Sequence, residues 1–274
     1  MAGHGRYIAI ILLALAVGLS LDSIWADRYR EAQRFEMSRI AGGVAAAIER
    51  ELAEKVLIAD GVTAAFAADP DLTRDQFERI AGQIARNAPD IVNIAVAPDF
   101  VVSLVHPLEP NRFVIGLDLR AREDYLVPLA ASVASGRTVL GGPYDLVQGG
   151  RGLIARTAVT ETDEADGLPV PWGIISVVVD VERFFEEAGL GQPDERAVLA
   201  VSDADGTLLH GARPARADPP VRVPVDAHGV RWNVEALPPG GWARYAPASN
   251  RIWAAVAVVA VTVLTVTWAF SWAF

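Results

Sequence analysis

Residues 91–105, Ile91-Val92-Asn93-Ile94-Ala95-Val96-Ala97-Pro98-Asp99-Phe100-Val101-Val102-Ser103-Leu104-Val105, mark the point where the chain changes its hydrophobic period. Ile91–Ala97 and Phe100–Val105 are rich in β-branched residues, and Pro98-Asp99 between them reads as a hairpin turn. Before this stretch the pattern is helical. Met37, Ile40, Val44, Ile48, Leu52, Ala59, Val62 and Phe66 recur three, four and seven apart, an amphipathic stripe over many turns. Gly42, Gly43 and Gly61 weaken that helix without ending it, and Pro70-Asp71 is its expected end. The stripe predicts core packing and a dimer contact. Thr73 and Gln76 form a capping box for a second helix, Arg74–Ala85, with Phe77, Ile80 and Ile84 inward.

Downstream, a helix is expected over Tyr125–Ser135, with Gly136 just past its end. Pro128 must then lie in or near the first turn, because farther in it breaks the hydrogen-bond ladder. A short strand is expected at Thr138–Leu140, and Gly149-Gly150 turns the chain into Leu153–Val159. A polar loop over residues 160–167 leads to a strand at Trp172–Val179 and a short helix at Val181–Ala188. The rest is strand-like: Ala197–Val201, Thr207–His210, Val221–Val225 and Val230–Glu235, with Asp203-Ala204-Asp205-Gly206 joining the first two. Helices interleaved with antiparallel hairpins predict an α+β fold, two small sheet-based subdomains carried on a long helix.

Apolar runs stand at both ends. Ile252–Phe274 carries no charge, and a helix crossing the hydrocarbon core needs about 20 apolar residues. Arg251 marks its edge, and Trp253, Trp268 and Trp272 lie near its ends, where indoles prefer the headgroup boundary. Tyr7–Leu21 is shorter, and reads as an uncleaved anchor extended by Ser23–Trp25 or as a cleaved signal peptide. Arg6 ahead of it favours a cytoplasmic N-terminus and an exported middle. The expectation is therefore a two-pass protein of a bacterial inner membrane, with membrane lipid around both spans and its main body periplasmic. The net charge of −10 and the lack of a basic stripe argue against nucleic acid as a partner. Without cysteine, an exported fold must be held by its core.

Three stretches are less generic. They are His106-Pro107-Leu108-Glu109-Pro110-Asn111, then Ile115-Gly116-Leu117-Asp118-Leu119, then Gly141-Gly142-Pro143-Tyr144-Asp145-Leu146-Val147-Gln148-Gly149-Gly150. In this order and spacing they resemble the CHASE domain, the extracytoplasmic sensor of cyclases, histidine kinases and plant cytokinin receptors. The likeness is strongest over residues 92–160. It implies a long stalk helix with two PAS-like subdomains, the membrane-distal one holding the ligand. On this reading residues 1–6 are a cytoplasmic tail, 7–25 and 252–274 the spans, and 26–90 the stalk and linking helices. The distal subdomain covers 91–168 and the proximal one 169–248. In the plant receptors an acid just before the Gly-Leu-Asp-like segment binds the ligand, and Glu109 holds that place here. Their hydroxyl-bearing residue at the strand end is replaced by Gly141, which argues against a cytokinin.

Candidate ligand residues follow. Glu109 reads either as a pocket carboxylate accepting hydrogen bonds or as an exposed turn acid beside Pro110. Asp118 reads as a helix cap or a ligand contact. Arg156, on the face of its strand opposite Leu153 and Ala155, reads as an inward guanidinium needing a carboxylate from Glu109 or a ligand, or as an outward surface residue. Tyr125 and Tyr144 suit either a pocket wall or the core. Gly149-Gly150-Arg151-Gly152 lacks the Lys-Ser/Thr of a phosphate loop and precedes a strand. His4, His106, His210 and His228 show no metal spacing, and no catalytic constellation or cofactor motif is present. The expected function is a homodimeric sensor that binds a small molecule and signals to an output domain beyond Phe274. The alternative is an accessory subunit presenting a CHASE-like body to a larger membrane complex.

Overall fold

The computed structural model describes residues 2–68, 72–147, 149–162, 169–213, 218–243, 247 and 249–273. Pro70-Asp71, Gln148 and most of the polar loop after Thr162 lie outside them. The chain divides into two compact units, residues 40–213 with 222–236, and residues 1–39 with 214–221 and 237–274. Helix α1 (Ala2–Ala68) is continuous, so the first apolar run and the amphipathic stripe share one helix.

The larger unit holds two antiparallel sheets. The first runs β2-β1-β5-β4-β3, from β1 (Ile91–Pro98), β2 (Leu104–His106), β3 (Val139–Asp145), β4 (Arg151–Thr162) and β5 (Pro169–Asp180). The second runs β7-β6-β9-β8, from β6 (Val198–Asp203), β7 (Leu208–Gly211), β8 (Val221–Ala227) and β9 (Val230–Leu237). The α+β expectation holds. The expected boundary at residue 168 does not, because β5 is the central strand of the first sheet, paired with both β1 and β4. Its Ile174, Ile175, Val177 and Val179 are fully buried, as a central strand covered on both faces requires.

The hairpin is also corrected. Asp99 and Phe100 take positive φ, and the paired strand shrinks to Leu104–His106, with Ser103 N–H also donating to Val96 O. Val102 instead bonds to the 114–119 segment: its N–H donates to Leu117 O and its carbonyl accepts from Gly116 N–H. Helix α2 (Arg74–Asn87) carries the expected Thr73–Gln76 capping box. After the short α3 (Leu108–Asn111), helix α4 (Glu123–Ser135) ends at Gly136 in the left-handed region, φ 62°, and starts two residues earlier than expected, which puts Pro128 in its second turn. Helix α5 (Val181–Phe185) continues as a π-turn over Glu186–Leu190.

The stripe on α1 is inward. Ile48, Leu52, Ala59 and Val62 are essentially inaccessible within the single chain, so the stripe is the chain's own core rather than an open dimer seam. Lys55 lies in the same line and is equally buried. Its Nζ sits 2.8 Å from the buried Asp90 carboxylate, 3.4 Å from Glu187, 3.6 Å from Glu54 and 3.9 Å from Glu51. One ammonium thus joins α1 to the turn before β1 and to the π-turn after α5.

In the smaller unit α1 and α6 (Ser249–Ala273) each contain a stretch long and apolar enough to cross a membrane. Gly18 is buried against Trp253, where an added Cβ would stand 2.8 Å from the indole. One turn on, Ser249 donates to Asp22 at 2.6 Å. We expect Gly18→Leu to force the helices apart, since small residues permit such close packing. Disulfide trapping between Asp22→Cys and Ser249→Cys should then fall severalfold; undiminished trapping would show that the contact is not needed.

Candidate ligand-binding site

Strand register places one polar residue from each of three adjacent strands on a single face of the first sheet. Ala95 of β1 lies across from Ser176 of β5, Ser176 from Arg156 of β4, and Arg156 from Val139 of β3. The adjacent row on that face is Asn93, Val178, Ile154 and Gly141. Side chains two apart share a face, so Asn93, Ser176 and Arg156 converge. Helix α4 covers them. Its Ser132 hydroxyl accepts the Ala158 N–H at 2.9 Å and lies 3.0 Å from Arg156 O, fixing the helix to β4 where β3 has already ended.

A cavity of about 50 Å³ opens on this face. Its polar lining is Asn93, Tyr125, Arg156 and Ser176, and the rest is apolar, including Ala95, Val102, Val114, Leu119, Leu146, Ile154 and Val178. Arg156 is only 1% exposed, yet its Nε and Nη1 make no hydrogen bond among the described residues; neither does the buried Ser176 hydroxyl. The guanidinium stacks on Tyr125, 4.1 Å from the ring centroid, and lies 5.7 Å from the Tyr144 centroid. The two rings meet edge-on at 5.0 Å. Such faces attract a desolvated cation by about 2 kcal/mol, well short of the several kcal/mol that burying an ion costs.

Burial pushes Arg156 below its ordinary value, opposed by Tyr144, Tyr125 and Asp124. An arginine starts so high that it stays protonated. Burial raises Tyr144, with Arg156 acting the other way, so the phenol remains neutral and able to donate. The sheet's other face carries a second link: Thr157, beside Arg156, meets Thr138 at 2.5 Å, and Thr138 in turn contacts Asp60 of α1.

The structure gathers Arg156, Tyr125 and Tyr144, with Gly141 beneath them. A Cβ on Gly141 would overlap the Tyr144 hydroxyl and stand 3.0 Å from Pro128. Gly141→Ala should therefore displace the Tyr144 ring; quenching of Tyr144 fluorescence or its chemical shift reports this, and an unmoved ring would contradict it. Glu109 and Asp118 are elsewhere. Glu109 is exposed and pairs with Arg112 at 2.5 Å, so it does not supply the carboxylate expected for Arg156. Asp118 caps the 3-10 turn Leu119–Ala121 and chelates Arg120, whose contact holds its carboxyl below the usual range. Asn93 and Ser176 escaped the sequence reading. The signal was there: each is the lone polar side chain in the middle of an apolar strand.

Residues 97–210 match the family model described as the CHASE domain, the family that the ordered motifs resemble. None of the curated proteins matches the chain. Among solved structures, the ligand-binding domain of the Pseudomonas fluorescens chemoreceptor CtaA, in complex with L-isoleucine, superposes with a TM-score of 0.55 at 15% identity, covering 77% of this chain and 93% of that one. The sensory domain of the Campylobacter jejuni chemoreceptor Tlp3 gives 0.56 at 9%, covering 80% and 98%. An extracellular ligand binding receptor from Desulfohalobium retbaense gives 0.57 at 14%, covering 74% of this chain, which spans 40% of that receptor's length. These likenesses establish the fold, a long helix with PAS-like antiparallel sheets.

Proposed function

We propose that the chain is the sensor region of a membrane receptor, binding a small molecule in the Arg156 cavity and passing the event to a cytoplasmic output domain. The observation that carries this reading is the buried guanidinium with two unpartnered N–H groups facing a cavity. Stable folds rarely leave such groups unsatisfied, and a ligand with acceptor oxygens would complete them. The CHASE match over residues 97–210 supports a sensory role. So do solved neighbours whose names describe chemoreceptor domains with bound amino acids.

In this reading α1 and α6 cross a bacterial inner membrane, both chain ends are cytoplasmic, and residues 27–250 are exported. The receptor acts as a homodimer. Ligand capture pulls on β4, and the Thr157–Thr138–Asp60 link passes the shift to α1. A ligand drives this only by binding one arrangement better than the other. Glu109 and Asp118, held by their own arginines, shape the loops around the site rather than touch the ligand.

Thermal-shift screening of the detergent-solubilised chain against a metabolite panel tests the proposal. Hits should raise the midpoint by mass action in the native protein and leave Arg156→Met unmoved. Hits that shift both proteins equally would refute the site.

A further inference from the structure

The cavity holds one fixed positive charge, and its lining among the described residues contains no carboxylate. Asp124, Glu109 and Asp118 are each engaged by an arginine of their own. Asp124, whose charge Arg156 feels, is clamped by Arg122 through contacts of 3.1 and 2.8 Å. Glu109 is on Arg112 and Asp118 on Arg120. We infer that the site selects small monocarboxylates with a short apolar tail and discriminates against the corresponding α-amino acids. This deepens the sensor reading above and rests on it.

The chemistry has three parts. A carboxylate supplies the two acceptors that Arg156 Nε and Nη1 lack, in the planar paired geometry a guanidinium favours. The α-ammonium of an amino acid would sit within a few ångströms of that same guanidinium, repelled by it. The lining offers it only neutral oxygens of Asn93, Tyr125 and Ser176, the Asp124 carboxylate being held by Arg122, and a desolvated ammonium without a paired counter-charge is strongly disfavoured. Size adds the third constraint. Since a water-sized group occupies about 10–15 Å³ on this measure, about 50 Å³ accommodates roughly four. That suits an acid of two or three carbons, its tail against Ala95, Val114, Ile154 and Val178.

Calorimetry on the full chain in nanodiscs, using matched pairs, tests this. Acetate is compared with glycine, and propionate with L-alanine. Each acid should bind at least about tenfold more tightly than its amino counterpart, which is about 1.4 kcal/mol. Arg156→Met should abolish acid binding. Ser176→Asp, which gives Arg156 an internal carboxylate, should abolish it too, with circular dichroism confirming that both variants fold. Amino acids binding as tightly as their acids, or neither class binding, overturns the inference. If amino acids or other compounds then bind in an Arg156-dependent way, the sensor site survives without it. Binding that ignores Arg156 removes both.

Discussion

Arg156→Met should raise the thermal stability of the ligand-free chain while destroying its response to ligand. Arg156 is buried with two N–H groups that no described residue partners, a cost offset only in part by the tyrosine faces. Methionine fills similar space without the desolvation cost. Replacing buried ionic groups by packed apolar ones stabilises proteins by about 1–4 kcal/mol, and each kcal/mol moves the midpoint of a unit this size by roughly 2–4 °C. Scanning calorimetry without ligand checks it. A midpoint lowered by several degrees would mean that Arg156 is a structural cation with partners, and not a ligand anchor held at a cost.

Lys55→Met should have the opposite sign. Here the charge is paired, and removing it strands Asp90, 1% exposed, without a cation. Breaking one side of a buried pair costs about 3–5 kcal/mol, a large part of the 5–15 kcal/mol that typically holds a domain. Urea titration should show that loss, and Lys55→Met combined with Asp90→Asn should restore most of it. Failure of the double variant to recover would assign the cost to packing rather than charge. Burial pulls the Lys55 ammonium down, but Asp90, Glu54 and Glu187 outweigh it and hold the group above its ordinary 10.5. A group raised on folding stabilises the fold fully below its unfolded value. That contribution is lost as pH climbs through the higher folded value. Native stability should therefore fall above about pH 10.5 more steeply than that of the double variant.

Both residues show what the sequence reading reached. The stripe from Met37 to Phe66 was legible because one helix face is buried and the other is not. Its seven-residue gap between Leu52 and Ala59 hid Lys55, since a lysine in an apolar line reads as solvent-facing until its acids are brought near by the fold. Arg156 was ambiguous for a different reason. β4 is buried on both faces, Leu153 and Ala155 on one, Ile154 and Ala158 on the other, so alternation could not say which face was the cavity. Glu109 was placed by motif position, and motif position carries no information on whether a neighbouring Arg112 will claim the carboxylate. The subdomain boundary failed similarly. The boundary at residue 168 followed the polar loop over residues 160–167, but long-range pairing of β5 with β1 and β4 decides the sheet.

Hydrogen–deuterium exchange on the full chain in nanodiscs, with and without the compound giving the largest thermal shift, tests the central claim most directly. Ligand completing Arg156 should slow exchange in residues 91–98, 144–147 and 151–159, together with the α1 segment around Asp60. Protection confined to residues 198–237, or to the apolar helices, with β4 unchanged, would show that sensing happens elsewhere.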